Sequence, residues 1–195
     1  MSIKKGLLFV IVAELMVGLL ALNHYGLTLQ GLQATTRFSG RLSLFIFTFI
    51  FLFLPFSRER LSRIFSSNPF LLFAVAHGIH LFELLSYVYL SQADLIPVRL
   101  AGGFLAYIFI FLMPFVQTSF LSGKIDRKKY SLAENIYGYY VWFIFFMSYL
   151  PRVQGKLPNV GGTYAEFLFL FVWVCILLGV RIFLQFRVRK VSPSQ

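Results

Sequence analysis

Cysteine is almost missing from this 195-residue chain: Cys175 is the only one, so no internal disulfide can form. Its apolar surroundings mark it as a small packing residue. Acid is scarce as well, with 7 Asp and Glu against 18 Lys and Arg, and histidine occurs only 3 times. No glycine-rich phosphate loop leads into a soluble βαβ unit, which excludes a nucleotide-binding domain of that kind. No nucleophile–base–acid set of a soluble hydrolase is visible, and neither an internal repeat nor a low-complexity linker divides the chain. The first apolar stretch, GLLFVIVAELMVGLLAL, follows Ile3-Lys4-Lys5 without a convincing small-residue cleavage pattern. It reads as a retained first span rather than a removed signal.

What is abundant is oil. Hydrophobic residues make up 58% of the chain, 25 of them Phe, and the mean hydropathy is +0.78. A soluble domain of this length cannot hide that much apolar surface, so the bilayer is the natural solvent. A helix crosses hydrocarbon in roughly 20 residues. Six candidate spans follow, at about 6–24, 41–56, 69–91, 100–120, 132–150 and 164–186. The second and fifth are short and rich in aromatics. Pro69 suits a first helical turn, and Pro114 should bend the fourth helix. Gly102 and Ala106, four apart, would admit a close neighbour.

Charge orients the bundle. Lys4, Lys5, Arg58, Arg60, Arg63, Lys124, Arg127, Lys128, Lys129, Arg181, Arg187, Arg189 and Lys190 fall on one side. Arg37, Arg41, Arg99, Arg152 and Lys156 fall on the other. The richer side is expected to be cytoplasmic, with both termini. The expected fold is therefore all-α: a single membrane domain, residues 1–195, of six transmembrane helices. The net charge of +11 is explained by topology and anionic lipid headgroups. Basic residues are spread over several short loops rather than one aromatic-interleaved patch, which argues against nucleic acid as a partner.

The informative polar groups lie inside the spans, where an Asp, Lys or Arg costs about 2.5–3.5 kcal/mol. They are Glu14 in the first span and His77, His80 and Glu83 in the third, within AHGIHLFELLSY (76–87). His24 stands near the outer end of the first span. Glu166 and Arg181 stand near opposite ends of the sixth, where both can reach an interface. At about 100° per residue, His80, Glu83 and Tyr87 point within roughly 60° of one another, with His77 about 60° to the other side of His80. A buried cluster of Glu14, His77, His80 and Glu83 is geometrically allowed.

Three readings compete for this cluster. A neutral imidazole can ligate haem, with Glu83 or a backbone carbonyl as the orienting acceptor. Histidines three apart on one helix, completed by Glu83 and Glu14, can instead hold zinc or iron. In the bland reading, two histidines hydrogen-bonded to a glutamate lock helices together. Two histidines on one helix face cannot occupy opposite faces of one haem iron. A second axial ligand must come from another helix, and His24 is at the wrong end of its span.

The stretch TTRFSGRLSLFIFTFIFLFLPFSRERL (35–61) resembles the second span of ferric reductase-like transmembrane domains, a Gly-led apolar helix closed by Pro before a basic loop. NPFLLFAVAHGIHLFELLSYVYL (68–90) resembles their haem-ligating third helix. QTSFLSGKIDRKKYSLAENIYGYYVWFIFFMSYL (117–150) resembles their Thr-Ser, basic loop and aromatic fifth helix. The likeness covers residues 35–150 and is similar to the haem-binding membrane subunit of bacterial methionine sulfoxide reductase systems. It implies a multi-pass protein of a bacterial inner membrane that binds haem b and relays electrons between quinol, or a redox partner protein, and an acceptor. His77 or His80 would be the ligand, Glu83 would orient or tune it, and Tyr87 would line the outer side. The family uses histidines on the third and fifth helices, and here the fifth has none. Asn135 stands near one expected position and Met147 or Ser148 near the other, of which Met147 is an axial-ligand type. A member that has lost haem ligation, a non-catalytic membrane scaffold or assembly subunit, and a metal or proton site through Glu14, His77, His80 and Glu83 remain the alternatives. The turn-rich segments 151–164 and 22–37 read as connectors.

Overall fold

The computed structural model describes residues 2–53, 68–92, 97–157 and 161–191. The end of the expected second span, with Arg58, Arg60 and Arg63, lies outside the described residues, as do the side chains of Arg99, Arg189 and Lys190. All described secondary structure is helical: α1 (Ile3–Tyr25), α2 (Leu29–Phe53), α3 (Pro69–Ser91), α4 (Pro97–Leu121), α5 (Arg127–Val153) and α6 (Tyr164–Val191). Five contain stretches long and apolar enough to cross a membrane: Ile3–Tyr25, Leu29–Phe53, Pro69–Ser91, Ala101–Leu121 and Tyr164–Arg187. The chain is therefore a multi-pass membrane protein by its build. α5 is long enough but falls short in apolarity.

Local chemistry sets the helix ends. The Ser2 hydroxyl, the Asn68 amide oxygen and the Asp126 carboxylate accept the backbone N–H of Lys5, Leu71 and Lys129, capping α1, α3 and α5. Pro69 opens α3 in its first turn, as expected. Thr163 and Glu166 form a reciprocal capping box at α6, with Thr163 N–H to Glu166 Oε2 at 2.9 Å and Glu166 N–H to Thr163 Oγ1 at 3.3 Å. Between α1 and α2, Gly26 takes a φ of 77° and returns its N–H to the Leu22 carbonyl. Its own carbonyl lies so close to Gly31 that a Cβ there would collide with it. The tight turn thus depends on both glycines.

Residue pairs fix the register. Phe47–Phe73, Gly40–His80 and Gln33–Tyr87 run in opposite senses along α2 and α3, so the two are antiparallel. Gly18–Thr35 and Glu14–Ser39 make α1 antiparallel to α2. α2 is the hub, packing on α1, α3, α5 and α6. Its inner face carries Phe47, which meets Phe51, Phe73 and Phe145 at ring separations of 5.4, 5.6 and 5.4 Å. Above that aromatic layer α2 switches to small polar residues, Thr35, Thr36, Ser39, Gly40 and Ser43. Small residues let backbones approach closely in lipid, where burying apolar surface gives no driving force between helices.

Candidate functional site

The switch on α2 opens a seam facing α1 and α3. Glu14 is 2% exposed, and Ser39 and Ser43 are fully covered. The Ser39 hydroxyl lies beside both the Glu14 and Glu83 carboxyls, and those two carboxyls are close enough to interact electrostatically. Three helices therefore bring Glu14, Ser39 and Glu83 to one place. His80 stands at the same level, against Gly40 and the Thr36 backbone. His77 sits one turn along, at the boundary of the aromatic layer. Its ring stacks on Phe73 (5.2 Å, 18°) and Tyr107 (5.1 Å, 29°), meets Phe145 edge-on (5.9 Å) and touches His80 (5.2 Å).

Seven polar atoms of this seam are buried without a hydrogen-bond partner among the described residues. They are both carboxylate oxygens of Glu14, Oγ of Ser39 and Ser43, Nδ1 of His77 and His80, and Oε2 of Glu83. Each such atom costs about 1–3 kcal/mol when left unpaired.

The other sequence-selected residues lie elsewhere, and Cys175, expected to be a small buried packing residue, is exposed on α6. The Tyr87 hydroxyl accepts a 2.8 Å hydrogen bond from Gln33 Nε2 and ties α3 to α2 beyond the seam. His24 is exposed at the end of α1, edge-on to Tyr25. Met147 is 44% exposed on α5, two residues from the Phe145 that meets His77, and so points away from the histidines. Ser148 donates to the Ile144 carbonyl of its own helix. Asn135 accepts from Arg181 Nη2 at 3.1 Å. Arg181 turns into the protein: it is 2% exposed, donates to the Phe51 carbonyl at 2.7 Å and lies over the Phe51 and Tyr139 rings.

These residues were tested for fit to a haem. A six-coordinate iron between α3 and α5 needs a ligand from α5, and Asn135, Met147 and Ser148 are all turned to other tasks. A cavity of about 500 Å³ does open between α3 and α4, lined by Leu71, Val75, Gly78, Phe82, Phe111 and Pro114 among others. It lies on the face of α3 opposite His77, His80 and Glu83 and is lined almost wholly by carbon. The residues do not fit a bis-axial haem. Among the described residues no three His, Cys, Asp or Glu side chains converge as a metal-binding group.

Sequence reasoning missed the α2 half of the seam. The available signal was Thr36, Ser39, Gly40 and Ser43 at helical spacing inside an otherwise phenylalanine-rich span. It also missed Tyr107 and the inward turn of Arg181, which only tertiary packing reveals. Comparison of the chain with known family models, with curated proteins and with solved structures finds no match in any of the three.

Proposed function

We propose that the chain is a six-span protein of the cell membrane with both termini in the cytoplasm, and that its working element is a proton-accepting seam between α1, α2 and α3. The observation that supports this is the meeting of the Glu14 and Glu83 carboxyls at the one Ser39 hydroxyl, with His80 and His77 alongside. The Ser39 hydroxyl engages both carboxyls and His80 meets the Thr36 backbone, so the seam is linked across three helices while it keeps polar atoms that meet no second partner. Groups left open in this way call for water and an exchangeable proton. Two carboxyls on either side of one hydroxyl can share a proton through it: Glu14 gives its proton to the Ser39 oxygen as the Ser39 proton passes to Glu83. His80 and His77 extend the path one turn towards the aromatic layer. Stacking on Phe73 and Tyr107 holds the His77 ring in place. Ionisable groups at membrane depth mark such relays more often than they mark packing.

The experiment is proton flux into proteoliposomes under a potassium diffusion potential, read by an enclosed pH dye. Wild-type protein is expected to admit protons, and Glu14→Gln and Glu83→Gln each to slow the flux by about tenfold or more, as expected for loss of one positioned transfer group. Flux no greater than in empty liposomes overturns the reading. The haem-binding electron relay implied by the resemblance is separated by one optical spectrum. A Soret band that shifts on dithionite and disappears in His80→Ala would replace the proton reading with the redox one. Stoichiometric zinc or iron in colourless protein would replace it with a metal site. Variants that only lower the melting temperature would leave a scaffold.

A further inference from the structure

At the far end of α2 from the aromatic layer, Arg37 and Arg41 lie one helical turn apart and face the start of α6. Arg41 Nη2 reaches Glu166 Oε2 at 3.2 Å, but that oxygen already accepts the Thr163 N–H. Arg37 forms no hydrogen bond among the described residues. It lies over the Tyr25 and Phe38 rings at 6.0 and 5.0 Å, while Arg41 lies over Phe38 from 4.9 Å. The Nη1 atom of Arg37 stands 3.3 Å from where a Cβ would be on Gly162 and 2.7 Å from that position on Gly161. The two glycines therefore give the guanidinium the room it occupies. Nε of both arginines is buried and unpartnered among the described residues. Arg152 adds a third guanidinium: with Arg41 it acts electrostatically on Tyr149, and it donates to the Ser148 carbonyl. Glu166 is the carboxylate that Arg37 and Arg41 both act on.

We infer that Arg37 and Arg41, backed by the Arg152 charge and floored by Gly161–Gly162, form a binding site for a phosphate group, either the headgroup phosphate of an anionic phospholipid or a free phosphate. Two guanidinium forks held side by side on ring faces match tetrahedral phosphate oxygens, and the unbonded Nε–H groups are the inner tines of those forks. Like charges crowded at the edge of a low-dielectric bundle repel one another, and an anion relieves that repulsion. Arg152 also acts on His80 of the α1–α2–α3 seam, but the phosphate site does not depend on the proton reading.

The test uses the full-length protein in nanodiscs of neutral phosphatidylcholine. One arm adds phosphatidylglycerol to the bilayer and follows retained lipid by native mass spectrometry. The other titrates inorganic phosphate and follows the melting temperature. Binding in the first arm alone identifies a lipid headgroup, and binding in the second identifies free phosphate; either supports the site. Arg37→Gln is expected to weaken binding by about tenfold to a hundredfold, the equivalent of one or two charge-assisted hydrogen bonds. Arg37→Lys keeps the charge and loses the fork, and should bind between the two even if Arg37→Gln folds poorly. Binding in neither arm, or equal binding by wild type and Arg37→Lys, overturns the inference.

Discussion

A methyl group on Gly40 would stand 3.0 Å from His80 Cε1 and 3.4 Å from both ring nitrogens. That is tighter than an ordinary contact, so the imidazole would have to shift out of the seam. Gly40→Ala is expected to destabilise the bundle by about 1–3 kcal/mol through overpacking. His80→Ala removes the obstacle, so the double variant should be more stable than the two single losses added together, with a coupling of about 1 kcal/mol. Unfolding titrations in detergent measure this, and simple additivity would show that the two residues do not touch. Arg181 sets up a second test at this scale. Arg181→Met keeps the length of the side chain but removes the donors to Phe51 and Asn135, at an expected cost on the order of 3 kcal/mol in the same assay. Little of this was legible in the sequence. The meeting of Glu14 with Glu83 depends on the register of three helices at once, and no single-helix periodicity carries that information. The inward turn of Arg181 depends on Asn135, 46 positions away.

At the scale of elements, hydropathy located the helices well, matched α3 at both ends and failed chiefly at the start of α2. The second span was expected from residue 41, but α2 begins at Leu29, because Gln33, Thr35, Thr36 and Arg37 make partners on other helices or on their own backbone. A hydropathy window treats such residues as water-seeking. Capping signals were more dependable, since they act within four residues. At α5 the Asp126 carboxylate accepts the Lys129 N–H at 2.8 Å and pairs with the Lys129 ammonium at 3.3 Å. The hydrogen bond first, and then the nearby charge, hold its carboxyl below the ordinary aspartate range. A carboxyl depressed in the folded state stabilises it above that range, and the contribution is lost as pH falls through the folded value. The melting-temperature gap between wild type and Asp126→Ala should therefore be widest near neutrality and close in acid. Asp126→Asn keeps an acceptor but no charge, so its own melting temperature should not show this acid-dependent loss. A pH series of melts in detergent checks both, and a gap that does not change with pH would remove the charge from the account.

For the whole molecule, the decisive element is α5, the one helix among the described residues that falls short in apolarity. Its 27 residues give about 40 Å at 1.5 Å per residue, enough to cross a bilayer. Three of its polar groups are met by neighbours: Tyr139 donates to Gln185, Tyr140 to the Gly102 carbonyl and the Trp142 indole to the Val174 carbonyl. Tyr130, Tyr137, Val141, Phe145 and Tyr149 are buried in the core. A helix that turns such groups towards partners inside the protein need not be apolar by composition to lie in the membrane. Impermeant-maleimide labelling of intact cells tests this, with Cys175→Ser as the background. Ser122→Cys and Gln154→Cys flank α5 in the two turns. On the proposed orientation, Gln154→Cys should react from outside, whereas Ser122→Cys, beside the basic loop at 124–129, should react only after permeabilisation. Labelling of both from one side would put α5 on the surface and leave five spans, an odd number that separates the termini across the membrane. That result would also place Arg152, which follows Gln154's end of α5, on the wrong side to back the Arg37 and Arg41 site unless the bundle is rebuilt around it.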